Sequence, residues 1–469
     1  MPPSSSPLHD SRLALAALSG AAGSVCRLVG GAAVAVALAA CGAGPPDGTS
    51  EPRRPNIVLY VVDTVRADRL GVYGYEKPTS PRLDAFAAGA VLFENAYAQS
   101  SWTRPAVASL FTGLLPPAHR TVGRRSVLPE EADTLAEILA ANSYEGLGLV
   151  RNPNVGRAFG FAQGFTRFRS EDRERDETML DRVRLWLDER RSADGPFFLF
   201  LHAIDPHGPY DPAPEFEEMF EAGGAPAHYR TVRYLLGLNR GEVEPEPGTA
   251  EALSRLYDAE VAQNDRAFGD LLDELEDRGL TEETAVIYVS DHGEEFAEHG
   301  RWEHGLSLYE EVLRVPLVMR LPGVPPRRVE APAQHVDVLP TLLGYLGIEA
   351  PPNDGRNLLA ARRRGDDPPD VYTHLDVDGH RAASVMRGHY KLVLPQSPSQ
   401  GTKPMLFDLD ADPGELENLA SERPDIVERM LGLLTERNLA DEVESAEEIE
   451  DDQLDEDVRR RLRALGYVD

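Results

Sequence analysis

Three short stretches of this chain carry residues that could do chemistry together. The densest is Asp291-His292-Gly293-Glu294-Glu295, followed closely by His299 and His304. A carboxylate beside an imidazole offers two ligands to one divalent ion, a set that suits Zn2+, Mn2+ or a harder metal. Taken alone, Asp-His-Gly serves equally as a structural turn, with Gly293 letting the chain pass closely. Three histidines crowded after one apolar run favour the metal. The second stretch, Ser100 to Gly113, reads as a helix with Pro105 in its first turn and Gly113 at its C-terminal cap. Thr103 then lies at the helix N-terminus, where backbone N–H groups and the dipole attract anions. Its hydroxyl can simply cap the helix, or it can touch a metal and act as a nucleophile. The third stretch runs from His202 to Tyr210 and places His207 in a turn, as an ordinary loop histidine or as a proton donor at the edge of a site.

The elements that must position these residues are apolar runs. Asn56–Val62 ends at Asp63, Gly195–Leu201 ends at His202, and Ala285–Val289 ends at Ser290-Asp291. Short runs without alternation suit strands covered on both faces of a parallel sheet. Helical patterns lie between them, at Thr134 to Asn142 and Glu251 to Asp277, so an α/β domain with helices on both sides is expected. Ligands of such sheets bind beyond the carboxyl ends of the strands, where Asp63 and Asp291 converge although far apart in sequence. A metal held by Asp63, Asp291 and His292 is therefore expected, with Thr103 placed either to cap its helix or to touch the ion as a further ligand.

The 469 residues suffice for one large domain or one large and one small, and an apolar content of 42% supports a sizeable core. The net charge of −31 argues against a general nucleic-acid binder and requires any anion site to be made positive locally. Over most of the surface that charge reads as a solubilising shell. Arg27 and the apolar run Leu28 to Ala40 read as an export signal over residues 1–40. Leu38-Ala-Ala-Cys41 resembles a bacterial lipobox, which makes Cys41 the lipidated residue, and residues 41–54 a Gly/Pro-rich tether. The expected location is the cell envelope, with the protein lipid-anchored to a membrane. Cys26 and Cys41 are the only cysteines, which leaves no disulfide framework and no thiolate metal site after cleavage. The main α/β domain is expected over 55–349 and a small α+β subdomain over 350–440, with short strands at Tyr390–Leu394 and Met405–Leu409 and a helix at Pro424–Leu439. Residues 441–469 read as an acidic tail, solvated over Glu442–Asp457 and ending in a short packing helix near Arg459–Tyr467.

Taken in order, these motifs closely resemble those of the sulfatases: Arg54-Pro-Asn-Ile-Val with Asp63, Gly71-Val-Tyr-Gly74, Ser80-Pro-Arg-Leu-Asp84, Thr103 to Gly113, Pro206-His-Gly-Pro-Tyr210, Ser290-Asp-His-Gly293, Ser307-Leu-Tyr-Glu310 with Arg314-Val-Pro316, and Asp408 to Asn418. The resemblance spans Arg54 to Leu434. The family belongs to the alkaline phosphatase-like superfamily, whose members cleave sulfate or phosphate esters at a metal-bound nucleophile. It implies an alkaline phosphatase-like α/β fold with a small C-terminal antiparallel sheet. Several positions depart from the pattern. Thr103 stands where sulfatases carry the Cys or Ser that becomes formylglycine, and Val107 stands where they carry an Arg. Threonine cannot give the formyl aldehyde, because its carbinol bears an extra methyl group, so no formylglycine is expected. Thr64 replaces the second Asp of a usual pair, Asn152-Pro-Asn154 replaces a Lys/His pair, and His304 falls where the family has Lys. These features resemble the threonine-nucleophile branch, which includes envelope phosphotransferases and phosphodiesterases.

The expectation is a hydrolase of sulfate or phosphate (di)esters with one divalent ion (Mn, Zn or Ca) and a covalent Thr103 adduct. His207 or His304 protonates the leaving alcohol, while Arg104, Asn152 and Asn154 contact the ester oxygens. The ester belongs to a small molecule, a glycan or a lipid. An envelope group transferase, or a non-catalytic protein retaining the fold, stands as the alternative.

Overall fold

Why the chain forms a doubly covered sheet is visible in its central strand, Asn56–Val62 (β1), in which all seven residues are buried. In the computed structural model, which describes residues 54–170, 177–190, 195–361, 367–397 and 401–468, the strands of the main sheet follow in chain order. They are β1, Val91–Tyr97 (β2), Glu145–Val150 (β3), Arg167–Ser170 (β4), Phe197–Ala203 (β5) and Thr284–Ser290 (β6). A two-stranded hairpin, Glu295–Phe296 (β7) with Trp302–Glu303 (β8), stands apart. Arg314–Arg320 (β9), Arg327–Val329 (β10) and Ala333–Gln334 (β11) complete the sheet, in the order β10-β2-β9-β6-β1-β5-β3-β4 with β11 on β2. Only β9 runs antiparallel to its neighbours β2 and β6. The expected mixed, mostly parallel sheet is therefore present.

Alternation along the strands sorts the core into two layers. Ile57, Leu59 and Val61 of β1, Phe198 and Phe200 of β5, and Ala285, Ile287 and Val289 of β6 share one face with Val107, Leu110 and Phe111 of the helix Thr103–Thr112. Val58, Tyr60, Leu199, Val286 and Tyr288 share the other with the 29-residue helix Thr249–Asp277. The smaller sheet, Val371–Val377 (β12), His380–Arg387 (β13), Tyr390–Pro395 (β14) and Met405–Asp408 (β15), is antiparallel, and the helix Pro424–Glu436 packs on it through Ile426, Met430 and Leu434. Residues 1–40 and Cys41, expected to be the export signal and lipid site, lie outside the described residues. No helix among the described residues is long and apolar enough to cross a membrane.

A helix, Glu456–Ala464, ends the acidic tail and packs on the core, while the acidic stretch before it keeps its charges in solvent. The backbone of that stretch is pinned: Val127 N–H donates to Glu447 O, and Ile449 N–H to Arg125 O. Leu454, Leu462, Leu465 and Tyr467 enter the same apolar layer as the Thr103 helix. Apolar residues spaced through an acidic stretch are what bring it back onto the molecule.

Candidate active site

The sheet order β6-β1-β5 decides the site. Asp291, Asp63 and His202 follow the inward-facing residues of three hydrogen-bonded neighbours: Val62 pairs with Ser290 and Val61 with His202. Period-two alternation therefore carries all three side chains onto the face covered by the Thr103 helix. All three are fully buried, and a donor atom from each lies within 4.8 Å of the others. His202 Nε2 is 3.6 Å from Asp291 Oδ2, and His292 Nε2 is 3.8 Å from Asp63 Oδ1 and 3.7 Å from Asp291 Oδ2.

Local hydrogen bonds aim these atoms. Asp291 Oδ1 accepts the N–H groups of Thr64 (3.1 Å) and His292 (2.8 Å), which turns Oδ2 inward. Ser290 Oγ accepts from Val65 N–H and shares its one proton between the carbonyls of Val62 (2.9 Å) and His292 (2.8 Å), stapling the ends of β1 and β6. Thr64 sits at φ 59°, a left-handed conformation uncommon for a β-branched residue and concentrated at functional sites. His292 Nδ1 donates to Gly293 O (3.0 Å), so Nε2 keeps its lone pair toward the site. Burial depresses this imidazole to about pKa 4. Burial would raise the Asp291 carboxyl, but the adjacent His292 and His202 imidazoles pull it below the usual carboxylate range.

Among the described residues, Asp291 Oδ2 and both ring nitrogens of His202 have no hydrogen-bond partner. Buried carboxylates and an orphaned imidazole are costly unless something binds them. Two carboxylates with imidazole nitrogens suit a divalent cation. The residues present thus fit one ion held by Asp63, His202 and Asp291 with His292 alongside. His202 was absent from the ligand set expected from the sequence, although its place at a strand end was legible there. His299, which the sequence crowds with His292, sits elsewhere: its Nδ1 bonds Glu311 (2.6 Å) and its Nε2 Gly414 O (3.1 Å).

Thr103 is the first residue of its helix, follows the N-cap residue Trp102, and is fully buried. Its Oγ1 lies 3.2 Å from His292 Nε2. Ser101, two residues earlier, instead donates to Ser307 O at 2.6 Å. Asn152, just beyond β3, puts Nδ2 2.6 Å from Asp63 Oδ2 and 3.5 Å from Thr103 Oγ1, and the donation of Asn154 N–H to Asn152 Oδ1 (2.9 Å) fixes the amide orientation. Arg104 does not serve the expected role at the ester. It is buried over the Phe159 ring and donates to the carbonyls of Gly123, Arg124, Ser126 and Asn154 and to Asn154 Oδ1. A guanidinium surrounded by carbonyl oxygens is a structural tie, and it occupies the Asn154 side-chain oxygen as well.

Three rings close the far side. His304 Nδ1 bonds the buried Glu294 Oε1 at 2.9 Å, and Glu294 Oε2 accepts from Tyr210 at 3.2 Å. Burial pushes the Glu294 carboxyl up to about 8 and the His304 imidazole down to about 4, so the pair holds one shared proton in the neutral range. The His304 ring centroid is 4.4 Å from that of His292 and 4.9 Å from that of His207. His207 Nδ1 donates to Gly208 O at 2.6 Å, and its Nε2 accepts the hydroxyl of Tyr467. Asn152 Nδ2 also lies 3.4 Å from that hydroxyl. Outside these rings lies a cavity of about 540 Å3, bordered by Trp102, Arg124, His207, Glu303, His304 and Tyr467 among others. Tyr467 was not expected here; 260 residues separate it from His207.

The fold agrees with what the chain is similar to. The Sulfatase family model matches residues 55–348, and the model for the C-terminal part of N-sulphoglucosamine sulphohydrolase matches 297–438. An ulvan-active sulfatase of Formosa agariphila is 28% identical, over 72% of this chain and 68% of that protein. Arylsulfatase K of Mus musculus is 26% identical, over 84% of this chain and 82% of its own. In structure, the phosphonate monoester hydrolase of Agrobacterium radiobacter superposes with a TM-score of 0.68 at 21% identity, over 82% of this chain and 96% of its own. A protein solved with D-glucosamine-2-N,6-O-disulfate also superposes at 0.68, with 19% identity, over 84% of this chain and all of its own. The chain belongs to the sulfatase family of ester hydrolases, within the alkaline phosphatase-like superfamily.

Proposed function

We propose that this protein hydrolyses a sulfate, phosphonate or phosphate ester of a small molecule or glycan, with Thr103 as nucleophile. The observation that carries the reading is Thr103 Oγ1, 3.2 Å from His292 Nε2 and beside the buried Asp63, His202 and Asp291 set. The names of the relatives, sulfatases and a phosphonate monoester hydrolase, support an ester of this class. Asp63, His202, Asp291 and His292 would hold a divalent ion, which would supply positive charge to the reacting ester and favour ionisation of the Thr103 hydroxyl. A single ion suits a monoanionic ester better than a dianion.

The chain's own groups do the rest. Thr103 Oγ1, at the positive end of its helix, gives its proton to water and attacks sulfur or phosphorus, and the ester bond to the leaving alcohol breaks. Asn152 Nδ2 donates a hydrogen bond to a non-bridging oxygen while orienting Asp63. His304, sharing a proton with Glu294, delivers it to the leaving oxygen, and His207 faces the same side. Water then releases the Thr103 ester. Formylglycine has no part in this scheme.

The test is turnover by Thr103→Ala and Thr103→Ser on parallel panels of aryl sulfates, phosphonates and phosphodiesters, with mass spectrometry of the Thr103 peptide after quenching. Loss by at least about 10³-fold in the alanine variant is expected, since nucleophile removal is that severe in comparable hydrolases. Near wild-type turnover by Thr103→Ala rules the scheme out. We also propose export and lipid anchoring through Cys41, for which acyl labelling that disappears in Cys41→Ala is the check.

A further inference from the structure

The apparent centre of the reaction is closed by the chain itself. Thr103, Asn152, Asp63, Asp291 and His292 are all fully buried, and none of them borders the adjacent cavity. Tyr467 stands between that cavity and Thr103. Its hydroxyl donates to His207 Nε2 and lies 3.4 Å from Asn152 Nδ2, the same nitrogen that is 3.5 Å from Thr103 Oγ1. One amide thus touches both the proposed nucleophile and a phenol oxygen. The phenol also meets the imidazole that faces the leaving-group side. Its ring packs edge-on against Trp102, centroids 5.0 Å apart, with the Arg124 guanidinium 5.9 Å from it.

The placement is built, not incidental. The helix Glu456–Ala464 is capped at its start by Asp455, whose carboxylate accepts Val458 N–H at 2.8 Å. At its end Tyr467 N–H bonds Leu462 O (2.9 Å) and Gly466 N–H bonds Arg463 O (3.1 Å), with Gly466 at φ 80°. This pair of bonds around a left-handed glycine is the Schellman termination, and it directs the next side chain back along the helix. Leu462 and Leu465 anchor the helix in the core, and Arg124 holds the Tyr467 carbonyl while pairing with Asp378. The backbone is therefore fixed, and the phenol ring borders the adjacent cavity.

We propose that Tyr467 is a specificity-determining residue that occupies the leaving-group position in the resting enzyme, so that a substrate must displace its phenol to reach Thr103. This rests on the reading of Thr103 as the nucleophile of an ester hydrolase. An ester enters by replacing the hydroxyl at Asn152 and His207 with its own oxygens and the ring at Trp102 with its own leaving group. Leaving groups able to make the Trp102 contact are favoured over those that cannot.

The test compares wild type, Tyr467→Phe and Tyr467→Ala in the full chain on 4-nitrophenyl sulfate. If closure reduces the open fraction to about one tenth, Tyr467→Ala lowers KM about tenfold with kcat within about twofold. Tyr467→Phe, which keeps the ring and loses both hydrogen bonds, falls between. Added phenol should inhibit Tyr467→Ala competitively and at lower concentration than wild type. An unchanged KM, or a drop in kcat that added phenol restores, overturns the inference, because the phenol is then inert or a working group. Should the alanine variant fail to fold, the phenylalanine variant decides by the same KM criterion. Calorimetric binding of 4-nitrophenyl sulfate to Thr103→Ala, with and without Tyr467→Ala, separates the two readings. Tighter binding in the double variant without turnover in any protein retains the occupancy and discards hydrolysis. Turnover with unchanged KM and binding discards the occupancy alone.

Discussion

Replacing His202 with leucine should change the response of the fold to divalent ions in a calculable way. The imidazole is fully buried, and among the described residues neither ring nitrogen has a hydrogen-bond partner. Removing the buried imidazole in chelator relieves a desolvation cost of about 1–3 kcal/mol but also strips Asp291 Oδ2, 3.6 Å away, of the ring that stabilises it, so any advantage of His202→Leu there is smaller than that cost. With an ion at about 100 times its Kd, wild type gains about 2.7 kcal/mol, because only the folded state presents the site. Loss of a direct ligand should weaken binding by at least the 10–100-fold typical of residues that merely support one. At a 100-fold weaker Kd the variant gains only about 0.4 kcal/mol, so the difference between the two proteins shifts toward wild type by about 2.3 kcal/mol. The assay is the urea midpoint of both proteins in chelator and in Mn2+, Zn2+ or Ca2+, alongside bound-metal stoichiometry. Equal ion-dependent shifts in the two proteins, or none in wild type, would refute the placement of His202 at a cation.

Further outcomes test other parts of the structure. His304→Ala should lower kcat about 10²–10⁴-fold on esters of alkyl alcohols and far less on 4-nitrophenyl esters, whose leaving group needs no proton; equal losses on both would remove His304 from proton transfer. Arg104→Met strips the donor from the carbonyls of Gly123, Arg124 and Ser126; it should destabilise the fold by about 3 kcal/mol or more in denaturant melts, while KM of the folded enzyme stays within about twofold. Burial holds the His119 and His374 imidazoles down to about 3 and about 4, below their ordinary 6.5. The unfolded chain therefore takes up protons that the folded chain refuses, and stability should fall from about pH 6 to pH 4 by about 1.4 kcal/mol per pH unit for each group. His374→Leu should remove about half of that pair's slope, as read from urea midpoints across the range.

How much of the site was legible in the sequence follows from what places each residue. Asp63, Asp291 and His292 end apolar runs, and a strand end in a parallel sheet is a location that a local pattern already specifies. Thr103 was legible for the same reason, as the first residue of a helix bounded by Pro105 and Gly113. His202 ends an equivalent run, and the signal was present. What the pattern could not supply was the strand order, which seats β5 beside β1 and opposite β6. Arg104 shows the converse: beside a proposed nucleophile at a helix N-terminus an arginine suits an anion, yet its neighbours are carbonyls from the loop after Gly123, which no local reading foresees. Tyr467 depended on a long-range return of the chain. Only its turn was local, in the Leu465-Gly466-Tyr467 signature of a helix end.

The three adjacent strands bearing Asp63, His202 and Asp291 have a further consequence. The relative positions of these donors are set by ladders of main-chain hydrogen bonds, β1 with β5 and β1 with β6, more than by the side chains packed around them. Slipping either ladder by one residue would send a donor to the opposite face. Substitution, insertion or shortening in the loops bordering the cavity leaves that register intact. The proposed reactive centre and the rim of the cavity can therefore drift independently in evolution, so that descendants of one scaffold could exchange leaving groups without rebuilding the buried set of donors.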